Sequence, residues 1–238
     1  MDNIIKSFKS LKWYEIIMIG VMVVISGMSI YNAIVHPETS TNPLWLTIIN
    51  FISAICGIIC IFFCAKANIS NFVFGSINTI VYAIFLYYQK IYGTFALEVL
   101  FYLPINFLSW YLWAKHRDNV LKEKTKSKKL SLKQNILCTT LIISGGIIYH
   151  YILVKIGGNV AWLDAFTLSI GIIAVILEML RYKEQYIWWI ITDIIAVAMY
   201  IVHFDAVYLT KKSIYLIMAV IGLMNWHKLN KERNKLNE

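Results

Sequence analysis

The amino-acid sequence predicts an all-α integral membrane protein, on three observations. Hydrophobic residues make up 59% of its 238 positions and charged residues only 15%, whereas soluble domains carry about 25% charged residues. Mean hydropathy is +0.65. Eight apolar stretches, each close to the roughly 20 residues that cross the hydrocarbon of a bilayer, recur along the chain. The core of a soluble domain could not hide that much apolar surface.

The stretches can be justified in order. Residues 13–34 follow three lysines and stop before His36-Pro37. This run is too long for a signal-peptide core, and no small-x-small cleavage site follows it. Residues 44–65 start after Pro43 and end at Lys66; Cys56, Cys60 and Cys64 recur every four residues along one face. Without histidine partners these thiols read as small packing residues in a helix interface, not as metal ligands. Residues 72–88 open near Asn68-Ile-Ser-Asn71 and carry Asn78; residues 95–113 follow the turn Lys90-Ile-Tyr-Gly93. Beyond a basic linker come 136–154, 162–180 (ending at Arg181), 186–202 and 208–226.

Charge fixes the expected orientation. Put the N-terminus in the cytoplasm, and eight helices leave only Lys90, Lys155, Lys211 and Lys212 of the 22 Lys and Arg outside. Basic residues collect on the cytoplasmic side of membrane proteins, so both termini are expected inside. The net charge of +9 then belongs beside anionic lipid, not on nucleic acid. The basic run from Lys115 to Lys133 reads as a solvated cytoplasmic linker.

Two parts of the chain share a layout. A helix ends at Lys66; the next carries Asn78; a third ends in Trp110-Tyr-Leu-Trp113. Later a helix ends at Arg181; the next carries Asp193; the last ends in Asn225-Trp-His227. The charge rule runs both units the same way, so they are parallel repeats with one linking helix between. The expected layout is 1 + (3 + 1 + 3): residues 1–40 with the extra helix, 41–116 as the first repeat, 117–160 as loop and linking helix, and 161–238 as the second repeat. In transporters built from parallel repeats the substrate sits near the midplane between the halves.

Polar groups inside the spans mark the expected pathway, because an acid in a bilayer is costly and normally faces a bundle interior or wet cavity. Trp189 and Asp193 lie four apart on one helical face. An aromatic surface beside a carboxylate suits a flat cation. Tyr186 and Trp188 are expected to assist Trp189, while Asn78, Glu98 and Asn106 offer hydrogen bonds. Glu178, three residues before Arg181, reads as a surface ion pair, and His150 as an interfacial histidine. The histidines are scattered, no catalytic constellation or phosphate-binding loop is present, and no cofactor is implied.

These residues resemble the PnuC vitamin transporters. The segment from Asn68 to Asn78, with Tyr92 and Trp110 to Trp113, is similar to that family's first repeat; Tyr182 to Asp193 is similar to its second. The resemblance covers about 44–228. It implies uptake of nicotinamide riboside, a precursor of NAD, by facilitated diffusion across the bacterial cytoplasmic membrane, with accumulation driven by later phosphorylation. It also implies a fold related to the SWEET sugar transporters. The family signature Trp-x-x-Trp-x-x-x-Asn falls here on Tyr186, Trp189 and Asp193, and a frequent glutamine falls on Glu98. Two amides replaced by acids favour a cation, so nicotinamide riboside and thiamine rank above riboflavin and deoxynucleosides. An ion-coupled carrier using Asp193 or Glu98 is the rival mechanism, and a homo-oligomer is left open.

Overall fold

A computed structural model describes residues 7–38, 40, 42–90, 92–117, 125–155, 162–202 and 204–236. Its helices are α1 (Trp13–Val35), α2 (Leu44–Ala65), α3 (Asn71–Tyr88), α4 (Tyr92–Leu97), α5 (Leu103–Lys115), α6 (Leu132–Lys155), α7 (Trp162–Met179), α8 (Gln185–Val202) and α9 (Ala206–Leu236). A π-helical turn, Glu98–Tyr102, joins α4 to α5, so together they form one broken span. Seven helices among the described residues are long and apolar enough to cross a membrane. The further apolar helix is α7, apolar over Ala165–Met179. The protein is thus an all-helical, multi-pass membrane protein.

Six helices close into a ring. α2 packs on α3, α3 on α5, α5 on α7, α7 on α8, α8 on α9, and α9 back on α2. α1 lies outside the ring against α2 and α9, and α6 lies outside against α7. Both outer helices expose large apolar side chains, including Ile17, Val24 and Met28 on α1 and Ile136, Ile143 and Ile148 on α6. Lipid is as apolar as these side chains, so leaving them outward costs nothing in a membrane.

The turns that end α2 and α7 have the same construction. Ala67 and Arg181 adopt left-handed backbone, φ 55° and 67°. Around them, Asn68 N–H donates to Phe63 O and Ala67 N–H to Cys64 O; correspondingly, Tyr182 N–H donates to Leu177 O and Arg181 N–H to Glu178 O. This paired pattern closes the last carbonyls of a helix and turns the chain sharply. The matched positions are 114 residues apart, the separation of Cys64 and Glu178.

The basic linker is less free than its composition predicts. Thr125 N–H donates to Ala67 O and Lys128 N–H to Arg181 O, at 3.1 and 2.7 Å. The described end of the linker therefore touches both turns, while 118–124 lie outside the described residues. Lys66 also departs from the picture of a solvated charge. Its ammonium sits 2.6 Å from the Glu15 carboxylate, which is 1% exposed, and so ties α1 to the end of α2.

The break before α5 has a local cause. Pro104 lacks an N–H, and its ring excludes the carbonyl four residues back. The chain responds with a wider turn, in which Leu103 N–H reaches Glu98 O. Such one-turn π segments re-aim the side chains that precede them.

Candidate functional site

The ring encloses a cavity of about 380 Å³ to which all six of its helices contribute. That is within the usual range for small-molecule sites. Its wall holds Trp189 and Tyr186 from α8, Asn78 and Tyr82 from α3, Glu98 from the π turn, and Asn106 from α5.

One end of the cavity is closed by packed rings. Trp113 and Trp226 are both fully buried, with centroids 5.4 Å apart. Phe72 meets Trp113 edge-on and Tyr186 meets Trp226 edge-on, at 4.8 and 5.6 Å. The hydrogen bonds run from α5 to α7 and from α9 to α2. Trp113 Nε1 donates to Glu178 O at 2.9 Å, and Trp226 Nε1 donates to Cys64 O at 3.0 Å. Tyr186 Oη donates to the same Cys64 carbonyl at 2.9 Å. Gly222 faces the Tyr186 ring so closely that an added Cβ would overlap it.

The middle of the cavity is amide and aromatic. Ser53 Oγ donates to Asn78 Oδ1 at 2.9 Å, which holds the amide in place. A Cβ at Gly75 would lie 3.0 Å from Asn106 Nδ2, so the missing side chain there lets α5 bring its amide in. Trp189 and Asp193 stand one turn apart on the wall of α8.

The opposite end is tyrosine-rich and charged. Tyr82, Tyr200, Tyr208 and Tyr215 line it with Lys211 and Lys212. Lys212 Nζ donates to Asp193 Oδ1 at 3.1 Å. Lys211 Nζ lies over the Tyr82 and Tyr215 rings, 5.4 and 5.7 Å from their centroids.

Residues 47–228 match the family model described as nicotinamide mononucleotide transporter. The chain belongs to this family, the PnuC transporters. The nicotinamide riboside transporter PnuC of Neisseria mucosa is 32% identical over 192 residues, covering 77% of this chain and 73% of that protein. The nicotinamide riboside transporter PnuC of Haemophilus influenzae is 31% identical over 82% of this chain and 84% of its own. The crystal structure of the vitamin B3 transporter PnuC superposes with a TM-score of 0.72 at 28% identity, covering 94% of both chains. Membership makes the chain a membrane transporter, not an enzyme.

Six of the seven residues expected at a PnuC-like site line the one cavity: Tyr186, Trp189, Asp193, Asn78, Glu98 and Asn106. Trp188 does not line it, because one residue along a helix turns a side chain by about 100° from Trp189. Asp193 is not a free counter-ion, since Lys212 already engages it.

Two further expectations are corrected. Glu178 is no surface residue: it lines the cavity, where its Oε1 accepts from Asn71 Nδ2 and Cys64 Sγ, both at 3.4 Å. Cys60 and Cys64 face the cavity instead of only filling a helix interface. Lys211 and Lys212, which the sequence reading left out of the site, lie on α9 and line the same space. The signal that could have found them was present in the sequence. Tyr208, Lys211, Lys212 and Tyr215 follow an i, i+3, i+4, i+7 spacing, which places them on one helical face.

Proposed function

We propose that this chain carries nicotinamide riboside into the cell by facilitated diffusion, with alternating access around the ring cavity. The observation that carries the reading is the cavity itself: an aromatic and amide-lined space shared by all six ring helices, in a chain of the PnuC family. Trp189 would stack on the pyridinium face, where a ring quadrupole attracts a cation. Glu98 and Glu178 would supply the negative charge, because Asp193 is occupied by Lys212. Asn78 and Asn106 would hydrogen-bond the ribose hydroxyls.

The transport cycle follows from the arrangement of the halves. We read α2, α3 and α4–α5 as one repeat and α7, α8 and α9 as its parallel partner, with α6 linking them and α1 added. The chain then crosses eight times with both termini in the cytoplasm. The matched turns at Ala67 and Arg181 and the crossed tryptophan bonds support this reading, and so does the distribution of basic residues. Closure at the Trp113–Trp226 end would alternate with closure at the tyrosine end. A ligand drives such a cycle only through different affinity for the two states.

Titration calorimetry on the purified chain in detergent tests the proposal, comparing nicotinamide riboside with thiamine. Saturable heat with the riboside is expected, and Trp189→Ala should weaken it by about 1–3 kcal/mol, the range of an aromatic stacking contact and its buried area. Heat with thiamine alone would overturn the assigned substrate. In vesicles, uptake should survive collapse of proton and sodium gradients; abolished uptake would instead mean an ion-coupled carrier.

A further inference from the structure

The closed end of the cavity carries a second layer outside its tryptophans. Trp113, Cys64 and Glu178 take part in the closure, and three residues after each comes a helix end. There His116 N–H donates to Trp113 O, Ala67 N–H to Cys64 O and Arg181 N–H to Glu178 O. The segment 125–130 is bonded to all three of these ends. Thr125 N–H donates to Ala67 O and Lys126 N–H to His116 O, both at 3.1 Å, and Lys128 N–H donates to Arg181 O at 2.7 Å. Connections between helices usually run over the surface in water, but Thr125, Ser127 and Leu130 are buried.

The two attachments of this segment are unequal. Toward α2 and α5 every bond is neutral: the two from Thr125 and Lys126 N–H, and Thr125 Oγ1 donating to His116 O at 3.3 Å. Toward the turn after α7 the backbone pairs twice, through Lys128 N–H to Arg181 O and Lys183 N–H to Lys128 O. Two charged groups reinforce that side. Arg181 Nη1 donates to Lys126 O at 3.3 Å, and Leu130 N–H donates to the Glu184 carboxylate at 3.1 Å. Hydrogen bonds with an ionised partner are roughly twice as strong as neutral ones. The segment also runs directly into α6, which packs on α7. Its hold on α7 is the firm one, and its hold on α2 and α5 the weak one.

We propose that residues 125–130 are a latch over the closed end, and that opening there requires Thr125 and Lys126 to leave Ala67 and His116 while the segment stays with α6 and α7. The proposal rests on the alternating-access reading above and adds the part that must move. The release can recur in every cycle, because a backbone group that gives up a neutral bond takes water in its place at little net loss. Until it happens, the ends of α2 and α5 stay tied to the turn after α7, over the bonds that Trp113 and Trp226 make.

Two disulfides separate the moving attachment from the fixed one. Arg117 faces Thr125, and Lys128 faces Tyr182, across β-bridges. Residues paired in this way lie about 5 Å apart between Cα atoms, a separation that a disulfide spans. Arg117→Cys with Thr125→Cys ties the segment to the end of α5, whereas Lys128→Cys with Tyr182→Cys ties it to the turn after α7. Uptake of nicotinamide riboside into vesicles is measured for the full-length chain carrying each pair, oxidised and then reduced, beside the unaltered chain treated alike. The 117–125 disulfide should abolish uptake, and reduction should restore it, which establishes that the variant is folded. Calorimetry on that oxidised variant should still detect the riboside, because the opposite end remains free to open. The 128–182 disulfide should leave uptake unchanged.

Undiminished uptake with the 117–125 disulfide formed would overturn the latch. So would loss of uptake with the 128–182 disulfide that reduction reverses, since the segment would then have to leave α7. Absence of uptake by the unaltered chain would instead overturn the transport reading, and the latch with it.

Discussion

At the scale of single residues, the Asp193–Lys212 pair changes what an acid inside a span means. A carboxylate this buried, at 3% side-chain exposure, is tolerable only with a partner. Its partner is an ammonium on the neighbouring helix instead of a ligand. Removing one member leaves the other uncompensated, whereas removing both does not. Asp193→Asn and Lys212→Gln should each lower stability by about 1–2 kcal/mol; the usual cost of breaking a buried pair is reduced here because Lys212 keeps 26% of its side chain exposed. The double variant should recover about 1 kcal/mol of that loss in a thermodynamic cycle. Simple additivity in denaturation would show that the pair is not coupled.

At the scale of elements, Pro104 and the π turn before it set where Glu98 stands. In a continuous α-helix the residues preceding Pro104 would rotate relative to α5, and Glu98 would leave its place on the wall. Pro104→Ala returns an N–H to the helix and removes a ring that costs about 3 kcal/mol in a helix interior. The expected outcome is equal or higher thermal stability, with affinity for nicotinamide riboside at least about tenfold weaker, or 1.4 kcal/mol. Melting curves and calorimetry on the same sample decide it; lower stability with affinity intact would show that the bend is merely structural. The sequence shows Pro104 plainly, but a proline alone does not say whether a helix kinks, ends or widens. That choice depends on α3 and α7, against which α5 packs.

The molecule as a whole is held at one end by two bonds that mirror each other. Trp113 on α5 donates to the last turn of α7, and Trp226 on α9 to the last turn of α2. If these bonds close the same gate, Trp113→Phe and Trp226→Phe should each cost about 1 kcal/mol, a typical net value for a hydrogen bond. Both should also shift accessibility at that end in the same direction, read by the labelling rate of Cys64, which lines the cavity behind them. Labelling that rises in one variant and falls in the other would contradict a shared closure.

The sequence by itself determined the class, the approximate spans and most of the candidate site. Apolar length and charge asymmetry are properties of the chain in a bilayer, so Trp13, Leu44 and Ala65 mark helix bounds without reference to any neighbour. Helical periodicity likewise put Trp189 and Asp193 on one face. What only the tertiary structure decided was partnership. Glu178 reads as a surface group three residues from Arg181, yet it faces the cavity because α5 and α8 pack on either side of its helix. Lys211 and Lys212 read only as charges in the topology count, and it is the packing of α9 that sets them against Tyr82 and Asp193. The physical reason is the same in each case: span length and local spacing lie along one chain, whereas the environment of a charge is set by helices far apart in sequence.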